Sequence, residues 1–270
     1  MAQRNIRLTL SYDGTDFAGW QVQPNRRTVQ GVVEHAILKT SGESLRILAA
    51  GRTDSGVHAL GQVANFRTES DIPADRWKLA LRAHLPDEVV VVESEEVDYE
   101  FHATFSAKTK RYRYVIYNHV VEFPFLKNYA WRIPQELDVA AMHAAAQELV
   151  GKHDFRSFES HWPNKATSIR TVNQVSVNRV AEWPAWSPVA TAGERVDGES
   201  TPTAPFIVLE IEADGFLYNM VRTITGTLLN VGRGNWTGKD VRRILEAMNR
   251  KEAGGTAPAH GLYLVCVHYG

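Results

Sequence analysis

The chain has little of what marks several large classes of protein. One cysteine, Cys266, stands among 270 residues, so no internal disulfide can form and no thiolate cage for zinc can be built. It lies in the apolar run from Leu262 to Val267, where a lone thiol is expected as a small buried hydrophobe in a reducing, cytoplasmic setting. No run of eighteen apolar residues occurs and no charged-then-apolar leader opens the chain, so neither a membrane span nor secretion is expected. Of the ten histidines no pair has the i, i+4 spacing of a helical metal site, and no metal is assigned. A G-x-G-x-x-G fingerprint is missing, as is a glycine-rich phosphate loop ending in Lys-Ser or Lys-Thr, which leaves nucleotide-dependent chemistry without a foothold. Charge of either sign is not in excess: 30 Lys and Arg face 31 Asp and Glu, so any affinity for a polyanion must come from local clustering.

What is present is an ordinary globular composition, 44% hydrophobic, sufficient for a core in one or two domains. Ile6, Leu8, Leu10 and Tyr12 alternate with polar residues and predict a half-buried strand ended by Asp13-Gly14. Thr28 predicts a helix N-cap, with Val29, Val32, Val33, Ala36 and Ile37 on one face and Gly42 as the stop. Strands near Leu45–Ala50, Gln62–Phe66 and Val89–Val92, with a helix over Ala74–Ala83, complete a β-α-β-β-α-β order. The second half repeats that order: strands over Arg111–Ile116, Val172–Val180 and Phe206–Ile211, helices over Ala140–Leu149, around Met220–Leu228 and around Val241–Met248, and a last strand over Leu262–Val267. The expected fold class is therefore α+β, two split β-α-β units in tandem, each an antiparallel sheet with helices on one face, able to share one long sheet. The join is expected near residue 105, giving domains 1–105 and 106–270, with the cleft between them as the natural place for a site. Ala181–Pro205, with four prolines and two tryptophans, reads as a long hairpin loop between two strands, disordered apart from tryptophans pinning its start.

The densest chemistry is in Gly51-Arg52-Thr53-Asp54-Ser55-Gly56-Val57-His58. On an extended backbone Arg52 and Asp54, two apart, share a face, while Gly51 and Gly56 let the chain bend and another molecule approach. The ordinary alternative is a type I turn in which the aspartate bonds nearby backbone N–H groups. A second cluster interleaves Lys108, Lys110, Arg111 and Arg113 with Tyr112 and Tyr114. Alternation puts Lys108, Lys110, Tyr112 and Tyr114 on one face and the two arginines on the other, a pattern that suits phosphates held by charge and a base stacked on a ring. The competing reading is a solvated edge strand with one buried tyrosine. Arg222 lies on the apolar side of a helix beside Val221, where a cation needs a carboxylate partner; Asp54 is a candidate.

Taken together these residues resemble the bacterial tRNA pseudouridine synthase A family along nearly the whole chain. The resemblance is carried by Tyr12-Asp13-Gly14-Thr15, Gly19-Trp20-Gln21, Thr28-Val29-Gln30-Gly31, the Gly51–His58 run, Phe101-His102-Ala103, Arg111-Tyr112-Arg113-Tyr114, Met220-Val221-Arg222 and Gly261-Leu262-Tyr263-Leu264. It implies isomerisation of uridine to pseudouridine at positions 38, 39 and 40 of the tRNA anticodon arm, a homodimer, no cofactor, and two α+β domains on a shared antiparallel sheet around a cleft. By motif match Asp54 is the catalytic aspartate, acting as nucleophile or as base. Arg222 is its ion-pair partner, keeping the carboxylate ionised despite burial. Tyr112 stacks on the target base, Leu262 walls the uracil pocket, and Arg52 takes the flipped nucleotide's place.

Three departures stand out: Thr104 follows Phe-His-Ala where relatives often carry arginine, His260 precedes Gly261 where an acid is usual, and the proline-rich loop Ala181–Pro205 is longer than expected. All three bear on tRNA affinity and the breadth of sites modified rather than on the reaction. A reading from a different class is a binding module that grips and folds the anticodon arm without catalysis. A carboxylate set beside a polyanion weighs against it.

Overall fold

The computed structural model describes residues 3–160, 167–183 and 204–270. The chain divides into two compact units, Met1–Lys110 with Leu264–Gly270, and Arg111–Tyr263.

The first unit begins with β1 (Arg4–Tyr12), in which Ile6, Leu8 and Leu10 are fully buried while Arg7, Thr9 and Ser11 remain half-exposed, as the alternation predicts. α1 (Val29–Ser41) starts and stops at the residues read as its caps. Thr28 Oγ1 accepts from the Gly31 N–H, and Gly42 takes the left-handed conformation at φ 78° with its N–H on Leu38 O. β2 shrinks to Leu48–Ala49, shorter than the strand expected over 45–50. β3 (His58–Thr68) and β4 (Val89–Val97) are longer than expected, and between them a single 3₁₀ turn runs into α2 (Trp77–Arg82). α2 docks through Trp77, whose ring meets Phe66 of β3 edge-on at 5.0 Å.

The second unit holds most of β5 (Thr109–Tyr117), with β6 (Trp131–Arg132), α3 (Val139–Ala146), β7 (Gly151–Asp154), β8 (Ile169–Val180), β9 (Phe206–Ala213), α4 (Met220–Gly232) and α5 (Gly238–Ala247). β10 (Leu262–His268) ends the chain, and from Leu264 onward it belongs to the first unit.

Within the first unit the strands lie in the order β4-β1-β3-β10, with β2 on β3; within the second the order is β5-β9-β8-β7, with β6 on β5. β1–β3, β1–β4, β2–β3, β7–β8 and β8–β9 are antiparallel, and β5–β6 is parallel. The class is thus α+β with mostly antiparallel pairing, as read from the sequence.

Residues 98–106 are tied back to the first sheet by two buried asparagines. Asn5 Nδ2 donates to Phe101 O at 2.9 Å, and Asn65 Oδ1 accepts from the Ala103 N–H at 2.9 Å. Most of the segment 181–205 lies outside the described residues, Trp186 included; at its start Trp183 meets Phe206 edge-on at 5.3 Å. Cys266 departs from expectation. It is half-buried rather than buried, with Sγ 3.3 Å from His268 Nε2, because only the first four residues of β10 are buried. Among the described residues no helix is long and apolar enough to cross a membrane.

Candidate active site

Between β2 and β3 the chain runs through Gly51–Val57 with its inner side pinned. Thr53 is buried, while Arg52 is exposed and Asp54 half-buried, so the two charged residues share the outer face as their spacing implies. The turn itself corrects one expectation. Val57 N–H donates to Asp54 O at 3.1 Å, and Gly56 stands at φ 77°, so the third position of the turn is left-handed; that is the type II pattern, not type I. Gly56 therefore carries the conformational demand. Gly51 has an ordinary φ, and its open side is met by the Lys110 side chain, whose Cε would sit 3.5 Å from an added Cβ.

The N-terminal motif is what holds this loop. Gly14 packs so closely that a Cβ there would stand 2.0 Å from Val57 O, and one on Gly19, itself at φ 93°, would stand 2.7 Å from Thr53 O. Trp20 N–H donates to Thr53 O at 3.0 Å, and Ser55 Oγ donates to Phe17 O at 3.1 Å. Buried His58 takes the Gly14 N–H on Nδ1 at 3.0 Å, the same nitrogen lying 3.1 Å from Asp13 Oδ1. Beside Ser55 opens a groove of about 300 Å³ lined by Asp16, Phe17, Asn25, Arg26 and Arg27 among others. Arg27 lies 4.4 Å over the Phe17 ring and forms a two-pronged pair with Glu88 at 3.0 and 3.1 Å. Those bonds raise the Arg27 pKa and lower that of Glu88.

The remaining candidates belong to the second unit, apart from Lys108 and Lys110. Arg222, on the first turn of α4, donates from Nε to Ala257 O at 2.7 Å and from Nη1 to Asn219 Oδ1 at 2.7 Å. Asn219 is left-handed at φ 61°, and its Nδ2 donates to Ser160 Oγ at 3.0 Å. One residue past Ala257, Pro258 O accepts from Tyr114 Oη at 2.8 Å. Burial holds the Tyr114 phenol well above its ordinary pKa, opposed by the Arg222 charge. The Tyr114 ring also lies on Gly261, where an added Cβ would stand 2.7 Å from Cζ; this close approach places Leu262, which is buried. Tyr112 is 7% exposed and meets Phe216 edge-on at 4.9 Å.

The four cations expected at phosphates divide into two pairs. Arg111 is paired with Glu212 at 2.8 Å and buried Arg113 with Glu210 at 2.7 Å, both acids coming from β9. Lys108 is exposed and Lys110 half-buried. Thr104 donates from Oγ1 to Ala49 O at 2.6 Å, tying the 98–106 segment to β2. Among the described residues no cluster of three or more His, Cys, Asp or Glu is arranged to hold a metal ion.

Sequence reasoning singled out the outward-facing residues of the loop and missed those that grip it from inside. Tyr12, Gln62 and His58 are all buried against it. Tyr12 and His58 stand in the motifs already named, and a polar residue at Gln62 within an apolar strand was the available signal for the third.

On this α+β scaffold an aspartate and an arginine stand on the outer face of a loop whose inner side is pinned. A family model described as tRNA pseudouridine synthase matches residues 9–106 and 145–270. The tRNA pseudouridine synthase A of Acetivibrio thermocellus is 45% identical over 98% of this chain and 100% of its own length. That of Thermoanaerobacter pseudethanolicus is 43% identical over the same shares, and that of Halalkalibacterium halodurans 42% identical over 96% of this chain and 90% of its own. The chain belongs to the tRNA pseudouridine synthase family.

Proposed function

We propose that this protein isomerises uridine to pseudouridine in tRNA, at positions 38, 39 and 40 of the anticodon arm, with Asp54 as the catalytic carboxylate. The reaction breaks the bond from N1 to C1′, turns the uracil, and rejoins it through C5, which gives up its proton while N1 gains one. Asp54 serves either as nucleophile toward the nucleoside or as the base that removes the C2′ proton. The observation that carries this reading is the alternation over Arg52, Thr53 and Asp54, which offers a cation and a carboxylate to one partner from a loop that is otherwise locked.

Arg52 holds the place vacated by the flipped nucleotide, Tyr112 stacks on the uracil, Leu262 walls its pocket, and Arg222 pairs with Asp54. This assignment takes up the arrangement read from the sequence, two units on a shared sheet with the site in the cleft between them. Lys108, Lys110, Arg111 and Arg113 contact the RNA backbone. For Arg111 and Arg113 a phosphate competes with Glu212 and Glu210, so the two lysines contribute more of the charge. The protein acts without a cofactor, as a homodimer, in the cytoplasm.

The test is tritium release from tRNA transcripts labelled at uridine C5, comparing the wild type with Asp54→Asn. Release that disappears in the variant while tRNA binding persists is the expected result. Tight binding without release by the wild type would leave the non-catalytic binding module in its place.

A further inference from the structure

Three buried side chains that contribute nothing to the outer face converge on the inner side of the Asp54 loop. Tyr12 is 3% exposed, Gln62 0% and Thr53 5%. Gln62 Nε2 donates to Gly51 O at 2.8 Å. Tyr12 Oη lies 2.8 Å from Thr53 Oγ1. Either hydroxyl can donate in that pair, and Gln62 Oε1 has no partner among the described residues, so Gln62 is engaged through its N–H end. Gln62 on Gly51 O and Tyr12 on Thr53 Oγ1 therefore grip residues 51 and 53 from the inner side, and Arg52 and Asp54 leave the same backbone in the opposite direction.

The orphaned oxygen makes a second argument. A buried carbonyl without a partner is unfavourable, and an apolar side chain of the same shape would avoid it. An amide at position 62 fits the site because its N–H end is used, and its partner, Gly51 O, belongs to the loop. Tyr12 is buried beside Trp20, with ring centroids 6.2 Å apart.

We propose that Tyr12 and Gln62 are positioning residues for the isomerisation: through Thr53 and Gly51 they fix the direction in which the Asp54 carboxylate leaves the loop. The proposal depends on Asp54 being the catalytic carboxylate. Neither residue touches substrate, and their effect reaches the reaction only through Asp54. A carboxylate displaced by a fraction of an ångström from its line of attack forfeits rate while leaving the RNA-backbone contacts of Lys108, Lys110, Arg111 and Arg113 in place.

The experiment measures the single-turnover rate constant of pseudouridine formation and the tRNA Kd for the full chain carrying Tyr12→Phe, Gln62→Met, Thr53→Val or Thr53→Ser, with Asp54→Asn alongside. Tyr12→Phe, Gln62→Met and Thr53→Val are each expected to slow the single turnover by about 10- to 100-fold with Kd within about twofold of wild type. Thr53→Ser, which keeps the hydroxyl, restores the rate. Tyr12→Phe combined with Thr53→Val is no slower than either alone, because both break one link. A folded Tyr12→Phe with the wild-type rate, or losses that fall on Kd instead, overturns the proposal. If Tyr12→Phe does not fold, the Thr53→Val and Thr53→Ser pair decides, and equal rates for the two overturn it. An inactive Asp54→Asn beside a fully active Tyr12→Phe defeats this inference alone, whereas an active Asp54→Asn defeats it together with the reading of Asp54.

Discussion

A Cβ added to Gly226, in the middle of α4, would stand 1.8 Å from the carbonyl oxygen of Gly255. The approach is mutual, for a Cβ on Gly254 would stand 2.6 Å from Gly226 O, and Thr227 Oγ1 accepts the Gly254 N–H at 3.0 Å. The irregular segment 254–258 is thus laid directly on the helix that carries Arg222, whose Nε donates to Ala257 O. Gly226→Ala must push residues 254–258 outward and is expected to destabilise the protein by about 1–3 kcal/mol. A lowered urea midpoint with an unchanged m-value would show it, and activity should fall further than stability because the Ala257 hold on Arg222 goes with the segment.

Gly19→Ala tests the equivalent close approach at the Asp54 loop. Gly19 combines φ 93° with a Cβ position 2.7 Å from Thr53 O, so alanine meets both backbone strain and a clash. The expected cost is about 2–4 kcal/mol, the sum of the two effects. Gly42→Ala is the control, since Gly42 at φ 78° has nothing within 4 Å and bears strain alone. Gly42→Ala should lose about 1 kcal/mol and keep the turnover rate of the remaining folded protein. Equal losses in both variants would show that the contact with Thr53 does not matter.

Local signals explain which parts of this fold could be read in advance. α1 was legible to the residue because Thr28 and Gly42 are its own caps, and β1 because one buried face imposes alternation. β2 was overestimated, and β6 and β7 were not read, because strands of two to four residues exist only through partners far away in sequence. At the site, the common face of Arg52 and Asp54 followed from spacing. The grip of Tyr12 and Gln62 on Thr53 and Gly51 did not, since it depends on the pairing of β1 with β3. The pairing of Arg111 and Arg113 with Glu212 and Glu210 was hidden for the same reason: β5 is read as basic until β9 is laid beside it.

Alkaline pH should loosen the first unit through Tyr12. Burial raises its pKa to about 12, against the smaller pull of the bonds from Thr53 and Gln62. In the unfolded chain the phenol titrates near its ordinary value of about 10. The folded-state value is the higher one, so the contribution is complete below about pH 10 and disappears as the pH climbs toward 12. Tyr114 and Tyr269 are raised by burial as well and act in the same direction. Urea midpoints at pH 8, 10 and 11 should fall across the last two, and Tyr12→Phe should make that fall shallower. An identical slope in the variant would mean that Tyr12 does not titrate in this window.

Acid should act on the second unit. Asp240 closes a capping box on α5, its Oδ2 accepting from both the N–H and the hydroxyl of Thr237 at 2.9 Å. These bonds lower its pKa. A depressed folded-state pKa gives stability that is present above the unfolded value and lost as the pH falls through the folded one. Thr237→Ala should lower stability at neutral pH by about 1 kcal/mol and flatten the acid limb of the stability curve. An acid limb that keeps its slope would remove Asp240 from the account.

The two lysines and the two arginines of the Lys108–Arg113 run should separate in the salt dependence of tRNA binding. Each phosphate contact releases condensed counterions, so its loss reduces the slope of log K against log salt by roughly 0.7–0.9. Lys108→Ala and Lys110→Ala are each expected to give about that reduction. Arg111→Ala should give less, because the guanidinium already lies 2.8 Å from a Glu212 oxygen and a phosphate must displace the carboxylate. Glu212→Gln supplies the converse: it frees the Arg111 charge and should strengthen binding while steepening the slope. A full reduction for Arg111→Ala, with no gain from Glu212→Gln, would mean that the ion pair opens readily when RNA arrives, and that the arginines count equally with the lysines.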